Sequence, residues 1–465
     1  AEDGIRGLVR SRGLGDVYKR QGWARRREIS RLRALAGLAL AGTAAGAAYA
    51  YLPWASSRGP LLDWGRPGSL ERLLAHVSGR QYSSYLDLTP AALAKQLGLA
   101  FESLSGEWGL VSWAVALLAV VGLLALRRRD RALALAAVLL AALNLAVKSV
   151  YGIAEDQEAY LLPLVGGLAL LAGFGLEAVV AAARRRPARV AALALGPALV
   201  AGATLANFPG CDRSRYRVAE SFVQDALASL PQGGLLLTAE WQLYSPWLYY
   251  REIEGLRRDA LLVDVSLLRR SWYFDLLRRQ APGLMERARP TTEPFLEDLR
   301  AWEREPLPYD RDPVLNRRIT ERFQAMVLGL LQAHDRPRAA TLEVVIPGSG
   351  PDPALASALG RQYGLVPQGL LMELTPATDP PPPLRAVQLA ARGLFDGSLT
   401  LAPQGVEALK LRPLYVAMAA NRGRYLEANG RLEAAADAYR QALAWDAGKL
   451  AASEGLARAQ ARTVP

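Results

Sequence analysis

Long apolar runs alternate with short arginine clusters through the first 207 residues; beyond Asn207 the pattern changes to short mixed segments. A helix that crosses a bilayer needs about 20 mostly apolar residues. Five segments meet that requirement: 34–53, 108–126, 132–151, 159–182 and 188–207. The arginines fall in clusters at their ends: Arg25–Arg27 with Arg31 and Arg33, Arg127–Arg129 with Arg131, and Arg184–Arg186 with Arg189. Cationic flanks mark the cytoplasmic side. The clusters place the start of the first span and the ends of the second and fourth inside. Residues 54–107, the turn "YGIAEDQEAY" and everything after Asn207 are then expected outside. Tyr51, Trp54, Trp108 and Trp113 stand where an interfacial aromatic belt is expected.

Within the external loop, "LLDWGRPGSLERLLAHVSGRQY" (residues 61–82) reads as a turn followed by a helix. Gly65, Pro67 and Gly68 break the chain. Ser69 is placed to cap a helix through Leu70, Leu73, Leu74 and Val77. Glu71, Arg72 and His76 fall off that apolar stripe. Segment 90–104 is amphipathic enough to lie along the membrane surface.

After Asn207 helical and strand patterns alternate. "RVAESFVQDALASL" predicts a helix, "GGLLLTA" a buried strand, "LYSPWLYYREIEG" an aromatic helix or turn, "RRDALLVDVSLL" a strand and "SWYFDLLRRQ" a helix. Residues 314–333 predict another helix and "ATLEVVIP" another strand. This alternation implies a small, mostly parallel sheet. Pro380–Pro383 reads as a stiff linker. The tail from about 412 is helical, and "MAANRGRYLEANGRLEAAADAYRQALAWDAGKL" resembles a tetratricopeptide repeat. Gly423, Gly430, Ala435, Tyr439 and Ala442 fall at the spacing of a close-packed helical hairpin, with Ala447 where proline is common. An ordinary hairpin cap fits as well as a peptide-binding repeat.

The expected architecture is therefore an α-helical polytopic membrane bundle, an extracytoplasmic α/β domain and a tetratricopeptide-like helical tail. The corresponding segments are 22–207, with external loop 54–107; 208–379; a Pro-rich linker and helix at 380–411; and 412–465. Residues 1–21 stand apart. "AEDGIR" and "SRGLGDVYKRQ" resemble translated sequencing-library adapter DNA, in which GAT GTG TAT AAG AGA CAG encodes DVYKRQ. Natural sequence is expected to begin near Gly22, with an N-terminal part missing.

Composition narrows the chemistry. The net charge is +12, but the arginines sit at membrane flanks, which argues against a nucleic-acid groove and nucleic-acid partners. One cysteine, Cys211, and two histidines, His76 and His334, exclude an internal disulfide framework and any multi-thiolate or histidine-rich metal centre. The Ala, Leu, Arg and Gly content suggests a GC-rich bacterial genome, hence a multi-pass protein of the bacterial cytoplasmic (inner) membrane with a periplasmic C-terminal region.

Three ordered blocks resemble a known family: "YLPWASSRGPLLDWGRPGSLERLLAHVSGRQY", "YGIAEDQEAYLLP" and "LPQGGLLLTAEWQLYSPWLYYREIEGLRRDALLVDVSLLRRSWYFDLL". They are similar to multi-pass bacterial membrane proteins of a domain-of-unknown-function family. That family is related to the eukaryotic transmembrane O-mannosyltransferase acting on plexin-type receptor domains. The resemblance covers roughly residues 45–280. It implies a type C glycosyltransferase fold, with a sugar passed from a polyprenyl-phosphate carrier to a protein hydroxyl outside the cytoplasm. In that fold the catalytic carboxylate lies in the first external loop, expected here upstream of Gly22. Arg66 departs from the pattern, in which an acidic residue is expected before Pro67.

Such a transfer needs a base, cations for the leaving phosphate and aromatic surfaces for the sugar. In the loop, Arg66, Arg72 and Arg80 suit phosphate, Arg being able to bind it bidentately. Trp64 and Tyr82 suit the sugar. Asp63, Glu71 and His76 are acid–base or orienting candidates, and Gln81 completes the set. For His76 alone a packing role is favoured. A second external cluster, Glu155, Asp156, Glu158 and Tyr160, adds Asp156 and Tyr160 as substrate contacts. Its spacing also admits a divalent cation, although four such residues in a polar turn are more often only solvated. Glu240, Trp241, Tyr244 and Trp247, with Tyr249 and Tyr250, form an aromatic patch that either contacts an acceptor protein or packs the external domain. The expected partners are membrane lipid, a lipid-linked sugar phosphate and an acceptor protein. No cofactor is firmly implied. The competing function is a non-enzymatic membrane scaffold that recruits partners through the tail.

Overall fold

The structure is a computed structural model. It describes residues 32–80, 82, 86–106, 111–152, 157–401 and 405–462. The chain forms two compact units, Ala1–Gln81 and Tyr82–Pro465.

In the first unit, helix Leu32–Tyr49 is followed after Ala50 by a short helix, Tyr51–Ser57. The apolar run thus continues past residue 53, where the sequence pattern placed its end. The segment after it makes one more helix, Leu70–Val77.

The second unit opens with helix Pro90–Gly106, followed by Ser112–Arg129, Arg131–Val150, Leu162–Ala182 and Arg186–Cys211. Asp130 makes the tight corner between the second and third of these. Its carboxylate accepts the backbone N–H groups of Ala132 and Leu133 at 3.0 and 3.1 Å, so the new helix starts directly after the Arg127–Arg129 cluster. Helices Ser112–Arg129 and Leu162–Ala182 cross at a glycine pair. A Cβ at Gly122 would lie 1.8 Å from the Leu171 carbonyl oxygen, and one at Gly175 would lie 1.9 Å from that of Leu118. Small residues let helix backbones approach this closely in lipid. Below the crossing, Arg129 meets Glu177 at 3.1 Å. That exposed pair sets alignment more than stability.

Among the described residues, three helices are long and apolar enough to cross a membrane: Arg131–Val150, Ala159–Ala182 and Arg186–Cys211. These correspond to three of the five expected spans. Helix Ser112–Arg129 has 18 residues and ends in three arginines. Helix Leu32–Tyr49 also has 18 residues. Segment 90–104 does not stand alone as a surface helix. Ala100 joins Leu161 and Leu164 in a buried cluster, and Lys148 donates to Gln96 Oε1 at 2.7 Å beneath it.

Beyond the last span, a five-stranded sheet has the order β2-β1-β3-β5-β4. Its strands are β1 (Leu235–Thr238), β2 (Leu261–Asp264), β3 (Arg338–Ala340), β4 (Tyr363–Gln368) and β5 (Leu371–Pro376). Strands β2, β1 and β3 run parallel, while β5 and β4 add an antiparallel hairpin. All residues of β1 and β2 are buried, as expected for parallel strands covered by helices on both faces. The sequence pattern differs in two places. It does not anticipate the β4–β5 hairpin. The strand near residue 340 ends at Ala340, and "LEVV" is a helical turn, Leu342–Val345. An apolar run that short does not separate a buried strand from a buried helix turn.

The Pro-rich segment is stitched to the domain. Helix Val218–Ser229 carries a buried polar stripe of Ser221, Asp225 and Ser229 at four-residue spacing. Ser221 Oγ accepts Arg392 N–H at 3.1 Å, and Ser229 Oγ accepts Leu370 N–H at 3.0 Å. Asp225 accepts Ala390 and Ala391 N–H at 2.8 and 2.9 Å and the Tyr415 hydroxyl at 2.7 Å. The tail consists of helices Arg412–Ala428, Leu432–Trp445 and Leu450–Ala461. Tyr439 is fully buried in its core. Gly423 and Gly455 leave room for its ring, since a Cβ at either would come within 2.6 Å of it or nearer.

Candidate functional site

The loop at residues 61–80 owes its shape to two residues in the left-handed region, Gly65 (φ 73°) and Arg66 (φ 46°). Glycine adopts that conformation freely; at arginine it costs roughly 1–3 kcal/mol. The turn closes through Arg66 N–H to Asp63 O at 3.1 Å and Gly68 N–H to Arg66 O at 2.8 Å. Asp63 is held from the other side by the Ser56 hydroxyl at 2.8 Å. Helix Leu70–Val77 begins where the sequence places it, with Ser69 Oγ accepting Arg72 N–H at 3.3 Å. The His76 ring packs on the turn: a Cβ at Gly65 would lie 2.9 Å from its Nδ1. The structure therefore gathers Asp63, Arg66 and His76 around one strained turn. Trp64 is half-buried, while Arg66, Glu71 and Arg80 are exposed and Arg72 is partly so. Leu70, Leu74 and Val77, expected to face inward, are 71%, 59% and 44% exposed.

Ser56 and Arg58 were not among the sequence candidates. The Arg58 guanidinium lies 4.0 Å from the Trp54 ring centre, and the Trp54 and Tyr51 rings are 5.5 Å apart. An i, i+4 Trp–Arg spacing on a short helix is the signal that could have found this pair.

Tyr82 belongs to the second unit and is exposed. Just beyond it, Leu86 bridges to Tyr151, and Asp87 N–H donates to Val150 O at 2.9 Å. The Tyr151 ring meets that of Tyr160 edge-on at 5.2 Å, and Asn144 Nδ2 holds the Tyr160 carbonyl at 2.9 Å. The end of the loop and the "YGIAEDQEAY" turn thus meet at Tyr151. Asp87 accepts Thr89 N–H at 2.8 Å, a bond that lowers its pKa below the usual carboxylate value. Gln81, Glu155 and Asp156 lie outside the described residues.

The aromatic patch divides into two layers. Tyr244 and Trp247 are completely buried, with ring centres 5.6 Å apart and Tyr273 6.1 Å from Tyr244. They are core residues and offer no surface to an acceptor, which corrects that expectation. Their helix packs on the sheet through this side, and apolar burial takes the largest rings first. Glu240 is also buried. It caps helix Trp241–Glu252 and lies 3.6 Å from Lys410 Nζ. Only Trp241 of the four named candidates keeps a large exposed area, 44%. Beside this layer, at the carboxyl end of β2, burial pushes the Asp264 carboxyl up to about 6.

A mammalian enzyme shares part of this sequence. Over 124 residues the chain is 30% identical to protein O-mannosyl-transferase TMEM260 of Mus musculus. The matched stretch is 25% of this chain and 17% of that protein, so the chain spans only a small part of the curated relative it matches. No family model matches the chain, and no solved structure matches it. The chain is thus distantly related, over part of its length, to an O-mannosyltransferase. Its apolar helices indicate membrane association.

Proposed function

We infer that this chain is part of a membrane glycosyltransferase that moves a sugar from a polyprenyl-phosphate donor to a protein hydroxyl on the extracytoplasmic face. The observation that carries this reading is the 30% identity over 124 residues to an O-mannosyl-transferase in a chain with membrane-length apolar helices. Mannose is the sugar favoured by that relation. In this reading five crossings leave the loop and the sheet domain on the same outer side. The strained turn at Gly65–Arg66 presents Arg66, with Arg72 and Arg80 nearby in sequence, to the donor phosphate. In the first unit Trp64 offers a ring face to the sugar, while Asp63 and His76 orient polar groups; in the second unit Tyr82 and Tyr160 are separate candidates for sugar contact. Arginine suits the phosphate because its planar fork binds two oxygens at once and keeps its charge outside the bilayer. Ser56, which holds Asp63 at 2.8 Å, supports the loop.

The test is sugar transfer by the protein expressed from its complete gene in membrane vesicles. Polyprenyl-phosphate mannose and polyprenyl-phosphate glucose are supplied in turn with total periplasmic protein. Transfer is expected with at least one donor, and Arg72→Ala is expected to raise donor KM by about tenfold, the loss of one charge-assisted contact of about 1.4 kcal/mol. A folded protein that transfers neither sugar would overturn the reading and favour a scaffold that recruits partners through its tail.

A further inference from the structure

The outward side of helix Trp241–Glu252 carries a row of large apolar residues. Trp241, Tyr249 and Ile253 are 44%, 52% and 71% exposed. At 100° per residue they fall within an arc of about 120° and extend over about 18 Å. The opposite side of the helix, with Leu243, Tyr244 and Trp247, is spent on the core. Single exposed apolar residues are ordinary; a Trp–Tyr–Ile row along one helix is not.

Its place in the chain suggests what covers it. The apolar helix Arg186–Cys211 ends six residues before helix Val218–Ser229, a connector that reaches no more than about 20 Å even if fully extended. It is shortened by two turns, Ser214 N–H to Asp212 Oδ1 at 2.9 Å and Tyr216 N–H to Arg213 O at 3.0 Å. Both ends of helix Trp241–Glu252 are tied to this neighbourhood. At its start, Glu240 meets Lys410, and Glu407, on the same helical turn as Lys410, accepts the Tyr216 hydroxyl at 2.5 Å. Toward its other end, Tyr250 lies within electrostatic reach of Arg217 and Glu220. The connector contributes three exposed cations, Arg213, Arg215 and Arg217.

We propose that this face, Trp241, Tyr249 and Ile253 with the connector arginines, is a membrane seat: it rests the sheet domain on the anionic headgroup layer of the bilayer that the chain itself enters at Cys211. Amphipathic aromatic rings settle at headgroup level, and nearby cations add attraction to anionic lipid. The seat fixes the height of the sheet domain above the bilayer and brings helix Trp241–Glu252 down onto it.

The full chain in nanodiscs tests this. In a Cys211→Ser background, single cysteines replace Tyr249, Ile253 or, as a control outside the patch, Val314, which is 72% exposed. Each is labelled with an environment-sensitive fluorophore. Quenching by headgroup-proximal spin-labelled lipid is measured in phosphatidylcholine with and without phosphatidylglycerol. Labels at 249 and 253 should be quenched at least about threefold more than the label at 314, and phosphatidylglycerol should strengthen the effect. Replacing Arg213, Arg215 and Arg217 with alanine should remove the phosphatidylglycerol dependence while leaving the domain folded, since all three are exposed. Quenching at 249 and 253 equal to that at 314 would overturn the proposal. So would protection that depends on protein concentration rather than on lipid, which would identify a second copy as the occupant.

Discussion

Asp225 is the joint between the sheet domain, the Pro-rich segment and the tail. Its carboxylate is 3% exposed and accepts three donors: Ala390 N–H on one oxygen, and Ala391 N–H with the Tyr415 hydroxyl on the other. Hydrogen bonds to a charged group contribute about 1.5–3 kcal/mol each, and a donor left buried without an acceptor costs about 1–3 kcal/mol. Water can reach part of the exposed linker once the carboxylate is gone, so the three losses do not add in full. Asp225→Ala is therefore expected to destabilise docking of residues 384–428 by about 4 kcal/mol. Asp225→Asn keeps one acceptor for Ala390 and sets an amide against Ala391 N–H, for a loss of about 2 kcal/mol. Tyr415→Phe removes one donor and should cost about 1 kcal/mol. The Tyr415 hydroxyl is already held neutral, its pKa raised well above the ordinary tyrosine value by burial and then by the Asp225 charge. Hydrogen exchange with mass spectrometry on the detergent-solubilised chain reads this directly. In Asp225→Ala, amides 390 and 391 should exchange about a thousandfold faster, the factor that about 4 kcal/mol implies. The tail core around Tyr439 should change far less, because its contacts do not involve Asp225. Wild-type exchange at 390 and 391 in Asp225→Ala would refute the reasoning, since the stitching would then contribute nothing to holding the linker.

Other outcomes follow from the same structure. The Asp264 carboxyl has a folded pKa of about 6 against an ordinary 3.8. Its stabilising contribution is therefore complete below about pH 4 and is lost as pH rises through about 6, in total about 3 kcal/mol. Asp264→Asn should flatten the pH dependence of thermal unfolding over that window, and an unchanged slope would show that another group sets it. At the helix crossing, Gly175→Val would drive a side chain into the Leu118 carbonyl. It should separate helices Ser112–Arg129 and Leu162–Ala182, seen as loss of a disulfide between cysteines placed at facing positions, at a cost of about 2 kcal/mol or more. In the tail, Gly455→Val would strike the Tyr439 ring and should lower the tail's unfolding midpoint by about 2 kcal/mol or more. Gly430→Ala, which meets no neighbouring atom but sits at φ 73°, should cost about 1 kcal/mol by urea titration.

Periodicity and punctuation carried much of the architecture. Runs of apolar residues between arginine clusters located the membrane helices, because in lipid only a helix satisfies its own backbone. Ser69 announced the loop helix, because a short hydroxyl side chain can cap the free amides of its first turn. "GGLLLTA" and "LLVD" announced buried parallel strands, because a strand covered on both faces must be apolar throughout. Gly423 and Tyr439 announced the tail hairpin. These are local statements, and a chain's own neighbours within four residues decide them.

What the tertiary structure decided is where each side chain's partner comes from. Ser221, Asp225 and Ser229 belong to a helix that the sequence announces, yet they face residues some 140 to 190 positions away and are among the most buried polar groups of the described residues. For Tyr244 and Trp247, beside Trp241, the sequence left acceptor contact and packing both open; the fold buries these two and leaves Trp241 and Tyr249 outside. The His76 ring on Gly65 and Ser56 on Asp63 likewise depend on a turn whose strain no periodicity reports. Sequence alone determined most of the helices, the loop cap and the buried strands β1 and β2, since those follow from local propensity and the period of burial. Only the packed chain decided which face of each helix meets core, partner or lipid, because that choice depends on groups far away in sequence that compete for the same surface.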